Sequence, residues 1–332
     1  MKQTASIKEI ARQAGVSVAT VSRVINQNGR FSKETEARVR QIIAQNNYEP
    51  NLLARSLRTS RARVVGIVMP DITNEFFSAI TLEMQNNLLA MGYSAIICNT
   101  QGDSGVELKY HAMLRAQQIS GLVYIAGEAS EEIPMLDIQI VYIDRSPLNT
   151  MHTQEFVTIM SDNKNGGYLA AKELLDKGCS TVAMLMPQRG GMMYEERMEG
   201  YMQALEEAGI QFDRELLCYT DSAGISQGSQ GVSRLFAEYP IVDGIFCACD
   251  TLAYGAVDWL RKNGRRVPGD VRVVGYDDIS ASALLGLTTV RQTAEDFGGI
   301  SAEALIAMIE DKPLPATEYT LPVTLIRRES TR

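Results

Sequence analysis

The first fifty residues place apolar side chains at helical spacing in three short segments. In the first segment, Ile7, Ile10 and Ala14 recur every three or four residues, which predicts an amphipathic helix. Val21 and Val24 form the inward stripe of a second predicted helix over residues 18–26. A third predicted helix begins after residue 32 and runs through the apolar positions 39, 42 and 43.

The residues between these helices carry turn and capping signals. Ser6 and Glu9 have the spacing of a capping box, in which each side chain bonds the backbone N–H of the other residue. Gly15 suits the left-handed residue of a tight turn, and Ser17 and Ser32 suit helix N-caps. Two short helices around a glycine turn, braced by a third helix, predict a helix-turn-helix.

A different signal follows at residues 48–63. Pro50 ends one element, and Asn51 suits the cap of a short fourth helix that is apolar on one side and basic around it. Residues 59–63 have the composition of a linker.

From Val64 onward, continuous apolar runs alternate with amphipathic helices. Such runs predict parallel strands buried on both faces, and therefore an α/β fold with helices on both sides of each sheet. The predicted strands are 64–69, 94–98, 121–125, 140–143, 182–186, 244–248 and 271–275. About 270 residues exceed one doubly wound sheet of ordinary size, so two lobes with a cleft between them are expected.

The charge is distributed unevenly along the chain. Residues 1–63 hold twelve Lys and Arg against four Asp and Glu, a net +8; the whole chain is −8, so the remainder carries −16. A basic head on an acidic body is typical of a nucleic-acid-binding protein. No apolar run long enough for a membrane span and no secretion signal are present, so a cytoplasmic location is expected.

Cysteine and histidine usage narrows the chemistry. An odd number of scattered cysteines, five in all, argues against a disulfide framework, and Cys247 and Cys249 lack the second pair of a zinc site. Neither His111 nor His152 lies in a recognisable catalytic setting. We therefore expect no metal, no cofactor and no enzymatic activity.

Several segments now resemble one known family. Residues 7–11 (IKEIA) and 14–26 (AGVSVATVSRVIN) closely resemble the head of the lactose/galactose-repressor family, and 48–51 (YEPN) with 54–57 (ARSL) resemble its hinge. Further along, 70–77 (PDITNEFF), 196–201 (ERMEGY), 274–278 (VGYDD) and 287–292 (LTTVRQ) also fit the family. The resemblance covers nearly the whole chain.

The resemblance implies an architecture. It consists of a helix-turn-helix head at 1–47, a hinge helix and linker at 48–63, and a core at 64–332 made of two doubly wound α/β lobes of the periplasmic-binding-protein type. The N-lobe is expected at about 64–161 plus 292–320, and the C-lobe at about 162–291 plus 321–332. The chain ends at Arg332 without the leucine-rich helix of tetrameric relatives, so a homodimer is expected.

The resemblance also implies DNA-binding residues. Arg23 on the second helix is the candidate for a bidentate contact to guanine, and Leu57 in the hinge is the candidate for a wedge in the minor groove. The full predicted set is Ser17, Val18, Ala19, Thr20, Arg23, Asn26, Asn51 and Leu57.

A second set of residues is implied for a small effector in the cleft. Most of these residues follow strands or begin helices, where open α/β sheets bind ligands. They are Asp71, Asn74, Phe76, Phe77, Asp144, Arg197, Asp250, Asp277 and Gln292. The chain departs from the family at Ser222, where some sugar-binding relatives have a nearby aromatic, and at Gly286, where proline is common; Met192, Met193 and Tyr194 are candidates for the missing wall.

The sequence as a whole predicts a transcription regulator, of the repressor type, that binds operator DNA under the allosteric control of a sugar or sugar derivative. A purine, nucleoside or phosphoprotein effector stays open as an alternative. A solute-binding protein of transport is a further alternative, against which the basic head and the missing secretion signal argue.

Overall fold

The computed structural model describes residues 6–26, 29–46, 63–127, 138–145, 156–189 and 191–332. The chain divides into two compact units, residues 1–62 and 63–332, here called the head and the core. Within the described ranges, no helix is both long and apolar enough to cross a membrane. The predicted hinge helix lies outside the described residues.

The described part of the head contains three helices in the predicted order: α1 (Ile7–Ala14), α2 (Val18–Asn26) and α3 (Lys33–Gln45). Gly15 ends α1 with φ +64°, in the left-handed region that glycine enters without a Cβ clash. Buried Ile10, Val24 and Val39 join the three helices in one small apolar cluster. The predicted helix-turn-helix is therefore present.

One of the two hydrogen bonds predicted for the capping box of α1 forms. Ser6 Oγ accepts a hydrogen bond from the N–H of Glu9 at 3.3 Å, as expected. The Glu9 carboxylate instead accepts from Arg12 Nε at 3.1 Å and from Gln13 Nε2 at 3.1 Å. Arg12 lies one turn along the same helix and offers a bidentate, charge-assisted partner, which a single backbone N–H does not match.

The described residues of the core form two six-stranded sheets. The strands are β1 (Val64–Met69), β2 (Ser94–Asn99), β3 (Gly121–Ile125), β4 (Gln139–Ile143), β5 (Phe156–Ser161), β6 (Val182–Pro187), β7 (Leu217–Thr220), β8 (Gly244–Cys247), β9 (Arg272–Asp277), β10 (Thr288–Arg291), β11 (Glu318–Leu321) and β12 (Thr324–Ile326). The N-lobe sheet has the order β11-β5-β4-β3-β1-β2, and the C-lobe sheet has the order β12-β10-β9-β8-β6-β7. All neighbouring strands run parallel except β10 and β12.

Helices cover both faces of each sheet. They are α4 (Glu75–Ala90), α5 (Ser104–Ala116), α6 (Asn163–Asp176), α7 (Met192–Glu207), α8 (Ile225–Glu238), α9 (Asp250–Lys262), α10 (Ser280–Leu285) and α11 (Ala294–Ile309), with 3₁₀ turns at Arg214–Leu216 and Glu329–Thr331. In the N-lobe, α4 and α11 pack on one face of the sheet and α5 on the other. In the C-lobe, α6 and α7 lie opposite α8 and α9. The predicted doubly wound architecture is confirmed.

The chain passes between the lobes three times. The passages join β5 to α6, β10 to α11, and β11 to β12. These three connections lie side by side, so residues from distant parts of the sequence meet there. The candidate site forms at this place.

The sequence analysis did not predict five of the strands that the structure describes. The strand β5 alternates half-buried and buried residues instead of forming a continuous apolar run. The others, β7, β10, β11 and β12, are only three or four residues long. Such segments give little periodic signal, and neighbouring strands, not local pattern, decide their structure.

Two glycines allow α6 and α7 to pack backbone against backbone. A Cβ on Gly167 would lie 1.9 Å from the carbonyl oxygen of Arg197, and a Cβ on Gly200 would lie 1.8 Å from that of Lys164. Gly166 similarly leaves room for the ring of Tyr276. Since α7 carries Arg197, this close approach sets the depth at which that side chain enters the core.

We therefore predict that Gly200→Ala destabilises the core by about 1–3 kcal/mol, the usual cost of overpacking a tight contact. The measurement is urea unfolding followed by circular dichroism. Gly299→Ala is the matched control, because Gly299 lies in helix α11 and a Cβ there meets nothing within 4 Å. The control should be neutral or gain up to about 1 kcal/mol; equal losses in both variants would contradict the packing argument.

Candidate functional site

The N-terminal turn of α2 is the first candidate surface. Ser17 Oγ accepts the N–H of Thr20 at 3.1 Å and lies 2.9 Å from Thr20 Oγ1, so both hydroxyls form the start of the helix. Ala19 and Arg23 are exposed one turn apart, whereas Val18 is half-buried against the head cluster. The head thus presents a small apolar residue and a guanidinium on one helix face.

Three predicted DNA-binding positions cannot be placed in the same way. The side chain of Asn26 lies outside the described residues, and so do Asn51 and Leu57.

The second candidate site lies between the lobes of the core. Asp144 follows β4, Asp277 ends β9 and Gln292 follows β10, so all three stand at carboxyl ends of parallel strands. Arg197 reaches the same place from α7. All four are at least nine-tenths buried, and they form a polar cluster, here called the pocket, in an otherwise apolar interior.

One continuous set of hydrogen bonds links these residues across the lobes. Asp144 Oδ1 accepts from the N–H of Ser161 at 2.9 Å and from Asn163 Nδ2 at 3.3 Å. Ser161 Oγ in turn bonds Gln292 Oε1, and Gln292 Nε2 donates to Asp277 Oδ1 at 2.7 Å. Ser161 and Gln292 are on two different passages between the lobes, so the set bridges both.

Arg197 is the single cation in this set. Its Nε donates to Asn163 Oδ1 at 2.9 Å, and its NH1 donates to the carbonyl oxygen of Ala248 at 2.6 Å. The guanidinium carbon lies 3.6 Å from the ring centre of Tyr276 and 5.4 Å from that of Tyr194. These aromatic faces and hydrogen bonds compensate a charge that burial would otherwise make very costly.

Asp250 is fully buried, and described protein groups occupy both of its carboxylate oxygens. Oδ1 accepts from Thr289 Oγ1 at 2.6 Å, and Oδ2 accepts from Ser282 Oγ at 2.5 Å and from the N–H of Ile279 at 3.0 Å. A Cβ on Gly275 would lie 2.2 Å from Oδ1. The carboxylate therefore holds the start of α10 against strand β10.

The predicted effector-binding residues of segment 71–77 differ in their burial and in their hydrogen bonds. Asp71 is exposed and accepts the N–H and hydroxyl of Thr73, which closes a local turn. Asn74 caps α4 by accepting from the N–H of Phe76 at 2.9 Å. Phe76 is buried with its ring edge-on to Phe297, at 5.9 Å between centres, and Phe77 is buried beside it.

Glu75 makes a direct contact between the lobes. Its Oε1 accepts the N–H of Ser280 at 2.9 Å, and its Oε2 accepts the Ser280 hydroxyl at 3.0 Å. Glu75 begins α4 in the N-lobe and Ser280 begins α10 in the C-lobe. Because α10 is also held by Asp250, this pair ties the N-lobe to the wall of the pocket.

Two pocket carboxylates stand on unusual backbone. Asp144 has φ +45° and Asp277 has φ +109°, and the adjacent Asp278 has φ +55°. Residues other than glycine rarely adopt these backbone conformations, which cost about 1–3 kcal/mol each. The surrounding hydrogen bonds keep them there, so both carboxylates are aimed at fixed positions.

Sequence reasoning missed several members of the pocket. Ser161 ends β5, the strand that the apolar pattern did not reveal, and Asn163 begins α6 two residues later. Tyr276 lies inside the segment 274–278 already singled out. Tyr194, named as a possible wall, is buried against Arg197. A polar Ser-Asp-Asn run directly after a strand was the available signal.

Two departures from the family pattern also have a place in the structure. Ser222 is exposed. Gly286 ends α10 with φ +66°, and a Cβ there would lie 2.5 Å from Glu329 Oε2. The left-handed backbone explains the glycine at this position.

The pocket is poor in compensating positive charge. Burial raises the pKa of Asp277 to about 8 and that of Asp250 to about 7. Burial also raises the pKa of Asp144. Three carboxyl groups around one guanidinium therefore hold protons more tightly than aspartates in water.

Comparisons with known proteins agree with this architecture. Residues 6–51 match the family described as "Bacterial regulatory proteins, lacI family", and residues 171–331 match "Periplasmic binding protein-like domain". The chain is 34% identical to the HTH-type transcriptional regulator RegA of Clostridium saccharobutylicum, over 98% of this chain and 99% of the relative. It is also 34% identical to the ribose operon repressor of Halalkalibacterium halodurans, over 98% and 97%.

A solved structure gives the same result. A LacI family regulator from Enterococcus faecium with bound ribose superposes with a TM-score of 0.70 at 26% identity, over 80% of this chain and 98% of that chain. A helix-turn-helix head joined to a two-lobed core with a buried polar pocket defines a ligand-responsive DNA-binding protein. The chain belongs to the lacI family of bacterial regulatory proteins, and it is a transcription regulator.

The pH dependence of stability gives a test of the pocket electrostatics. An aspartate in an unfolded chain titrates near pH 3.9, whereas Asp277 in the folded chain titrates near 8. Between these values the folded state binds more protons, so its stability falls as the pH rises from about 4 to about 8. We predict that Asp277→Asn raises the unfolding temperature relative to wild type, and by more at pH 8 than at pH 5.

Asp270→Asn is the control of opposite sign. The Arg266 guanidinium holds the pKa of Asp270 at about 2 through direct hydrogen bonds. This carboxylate favours the folded state above pH 4, so the control should lower the unfolding temperature slightly at pH 8. A loss of stability in Asp277→Asn at pH 8 would show that the carboxylate is well compensated.

Proposed function

We propose that this regulator is a homodimeric repressor that binds a near-palindromic operator with its heads and a small sugar between the lobes of its core. The observation that supports it most is the buried hydrogen-bond set from Asp144 to Asp277, which joins both lobes around a polar pocket. A ligand in that pocket would touch both lobes at once, so occupancy and lobe arrangement are coupled. Because a bacterial DNA-binding regulator meets its operator in the cytoplasm, we place the protein there.

We assign operator recognition to the exposed start of α2. Arg23 would bind a guanine edge in the major groove, and Ala19 would meet a thymine methyl group. Ser17, Thr20 and Asn26 would contact phosphates or bases. Val18 is half-buried, so its part is mainly to support the helix.

We assign the hinge roles from the family resemblance. Asn51 would cap the hinge helix, and Leu57 would enter the minor groove between two base pairs, paired with the same residue of a second subunit.

The contact between subunits is assigned to α4. Leu82 and Leu89 are exposed seven residues apart on this helix, and their apolar side chains suit such a contact.

Effector binding is assigned to the pocket residues with free hydrogen-bonding capacity. Asp144, Arg197, Asp277 and Gln292 would bind ligand hydroxyls directly. Phe76 and Phe77 would supply the apolar side of the pocket. Asp71, Asn74 and Asp250 would position the surrounding turn and helices, because their carboxylate or amide oxygens already bond described protein groups.

The aromatic geometry favours a sugar over a purine. A stacked base needs two facing rings, but the Tyr276 ring is covered by the Arg197 guanidinium. Phe76 and Phe77 are tilted at 52° to each other, with centres 6.2 Å apart. A ligand made of hydroxyl groups fits these surroundings better than a planar base. Two relatives support the sugar: the ribose operon repressor, by its name, and the ribose-bound regulator, by its ligand.

This function requires binding without turnover. His111 is buried against Tyr124 and Arg145 in the N-lobe, apart from the hydrogen-bond set of the pocket. We therefore propose that the bound sugar leaves unchanged, which nuclear magnetic resonance of the sugar after long incubation would check.

The function as a whole is tested by fluorescence anisotropy of the full chain with a pool of randomised palindromic DNA at two salt concentrations. Selective binding that weakens with salt is expected, and one sugar from a panel of sugars and nucleosides should change it. If only a nucleoside changes it, the sugar proposal is wrong. Binding to no DNA under any condition would refute the operator-binding role.

Arg23→Ala should weaken binding to the selected operator by about 1–3 kcal/mol, the contribution of one bidentate base contact. Sugar binding to the core should not change. The matched control is Arg12→Ala, an exposed arginine of α1 that is paired with Glu9 in its own helix. If both variants lose affinity equally, Arg23 contributes only general charge.

Glu75→Ala removes the two hydrogen bonds to Ser280 that join the lobes. Each such bond is worth about 0.5–1.5 kcal/mol net, so sugar affinity measured by calorimetry should fall about tenfold. Glu83→Ala is the matched control, because this carboxylate lies on the same helix and bonds Asn87 within the N-lobe. An unchanged affinity in Glu75→Ala would mean that the contact does not contribute to lobe closure.

A further inference from the structure

The pocket has unused acceptors that point to the charge of its ligand. Asp144 and Asp277 each bond described protein donors through Oδ1, and no described residue donates to the Oδ2 of either group. The two carboxylates belong to opposite lobes and are at least nine-tenths buried. A ligand between the lobes therefore meets two acceptors held in fixed positions.

The pocket cation is largely committed to protein partners. Arg197 directs Nε to Asn163 and NH1 to the carbonyl oxygen of Ala248, and its face lies on Tyr276. The guanidinium of Arg197 forms no ion pair with the carboxylate of Asp144 or of Asp277, so it does not neutralise either group at contact distance. One guanidinium also cannot neutralise Asp144, Asp250 and Asp277 together.

The neighbouring cations are likewise paired. Arg145, which follows Asp144, is buried in a bidentate pair with Glu107, at 2.9 and 3.4 Å. Arg291 and Arg328 both pair with Asp278, each at 2.7 Å. The sequence stretches 128–137 and 146–155, on either side of β4 and Asp144, contain five acidic residues and no lysine or arginine.

We infer that the pocket selects an uncharged sugar and rejects sugars that carry a phosphate or a carboxylate. Hydroxyl groups donate to the two free Oδ2 atoms and accept from the remaining N–H groups of Arg197 and Gln292, so they satisfy both sides. An anionic group would lie beside Asp144 and Asp277, so once these carboxyl groups are ionised it adds a further negative charge in a buried site whose described cations already have protein partners. Burial raises the pKa of Asp277 to about 8 and that of Asp250 to about 7, so both carboxyl groups are ionised, and repel an anion most strongly, above pH 8.

This inference rests on the proposed sugar effector, and its test is isothermal titration calorimetry of the full chain at pH 9, where the carboxyl groups of Asp250 and Asp277 are both ionised. The probes are ribose, glucose and galactose, their phosphate esters, the two hexuronates, glucosamine, and a set of nucleosides. For the sugar that binds, every anionic derivative should bind at least about a hundredfold more weakly, given the cost of like charges in a desolvated site.

Asp277→Asn tests whether the carboxylates cause the discrimination. This variant keeps an acceptor for Gln292 but removes one charge, so the ratio of neutral to anionic affinity should fall about tenfold, roughly one charge interaction in a partly shielded site. Asp270→Asn removes a carboxylate paired with Arg266 and should leave the ratio unchanged. If Asp277 had only a structural role, Asp277→Asn would lower the affinity for all ligands by the same factor, and the ratio of neutral to anionic affinity would stay as in wild type.

The outcomes separate the two proposals. Binding of a sugar phosphate or uronate as tight as that of the neutral sugar overturns the charge inference and leaves the sugar effector intact. An unchanged ratio in Asp277→Asn also overturns it. Binding of none of the sugars, or of a nucleoside alone, overturns the sugar effector and the charge inference with it.

Discussion

The buried guanidinium of Arg197 is the constraint on which the rest of the core depends. A charge removed from water costs several kcal/mol unless it is fully bonded, and its partners come from the start of α6, the end of β8 and the end of β9. The glycine contact between α6 and α7 places the side chain at the right depth. If any of these elements moved, the guanidinium would lose a bonding partner. The cost of that loss keeps the elements in one relative arrangement.

The same arrangement explains how a small ligand can act at a distance. The hydrogen bonds cross from one lobe to the other through Ser161 and Gln292, which lie on two of the three connecting passages. A ligand that bonded carboxylates on both lobes, as proposed, would stabilise this arrangement by its differential affinity for it. By thermodynamic reciprocity, DNA and ligand then alter the affinity of the protein for each other by the same factor.

The sequence was sufficient for the class of fold and for the helix-turn-helix, because these depend on local patterns. The runs at β1 and β3, the turn at Gly15 and the caps at Ser17 and Ser32 each carry their own signal. It was insufficient for β5 and β10, whose strands are decided by their neighbours, and hence for Ser161 and Asn163 beside them. Nor does local sequence show that Thr289, Ser282 and Ile279 converge on Asp250 from elsewhere in the chain.

The order of the pocket residues along the chain has a consequence for biosynthesis. The head occupies the first residues and has its own apolar cluster, whereas the pocket needs Asp144, Arg197 and Gln292, and strand β12 closes the C-lobe sheet close to the C-terminus. Domains fold as units in the order in which the ribosome releases them. A nascent chain thus has its DNA-reading helices well before it has a ligand pocket, and it becomes sensitive to the ligand only after the head has folded.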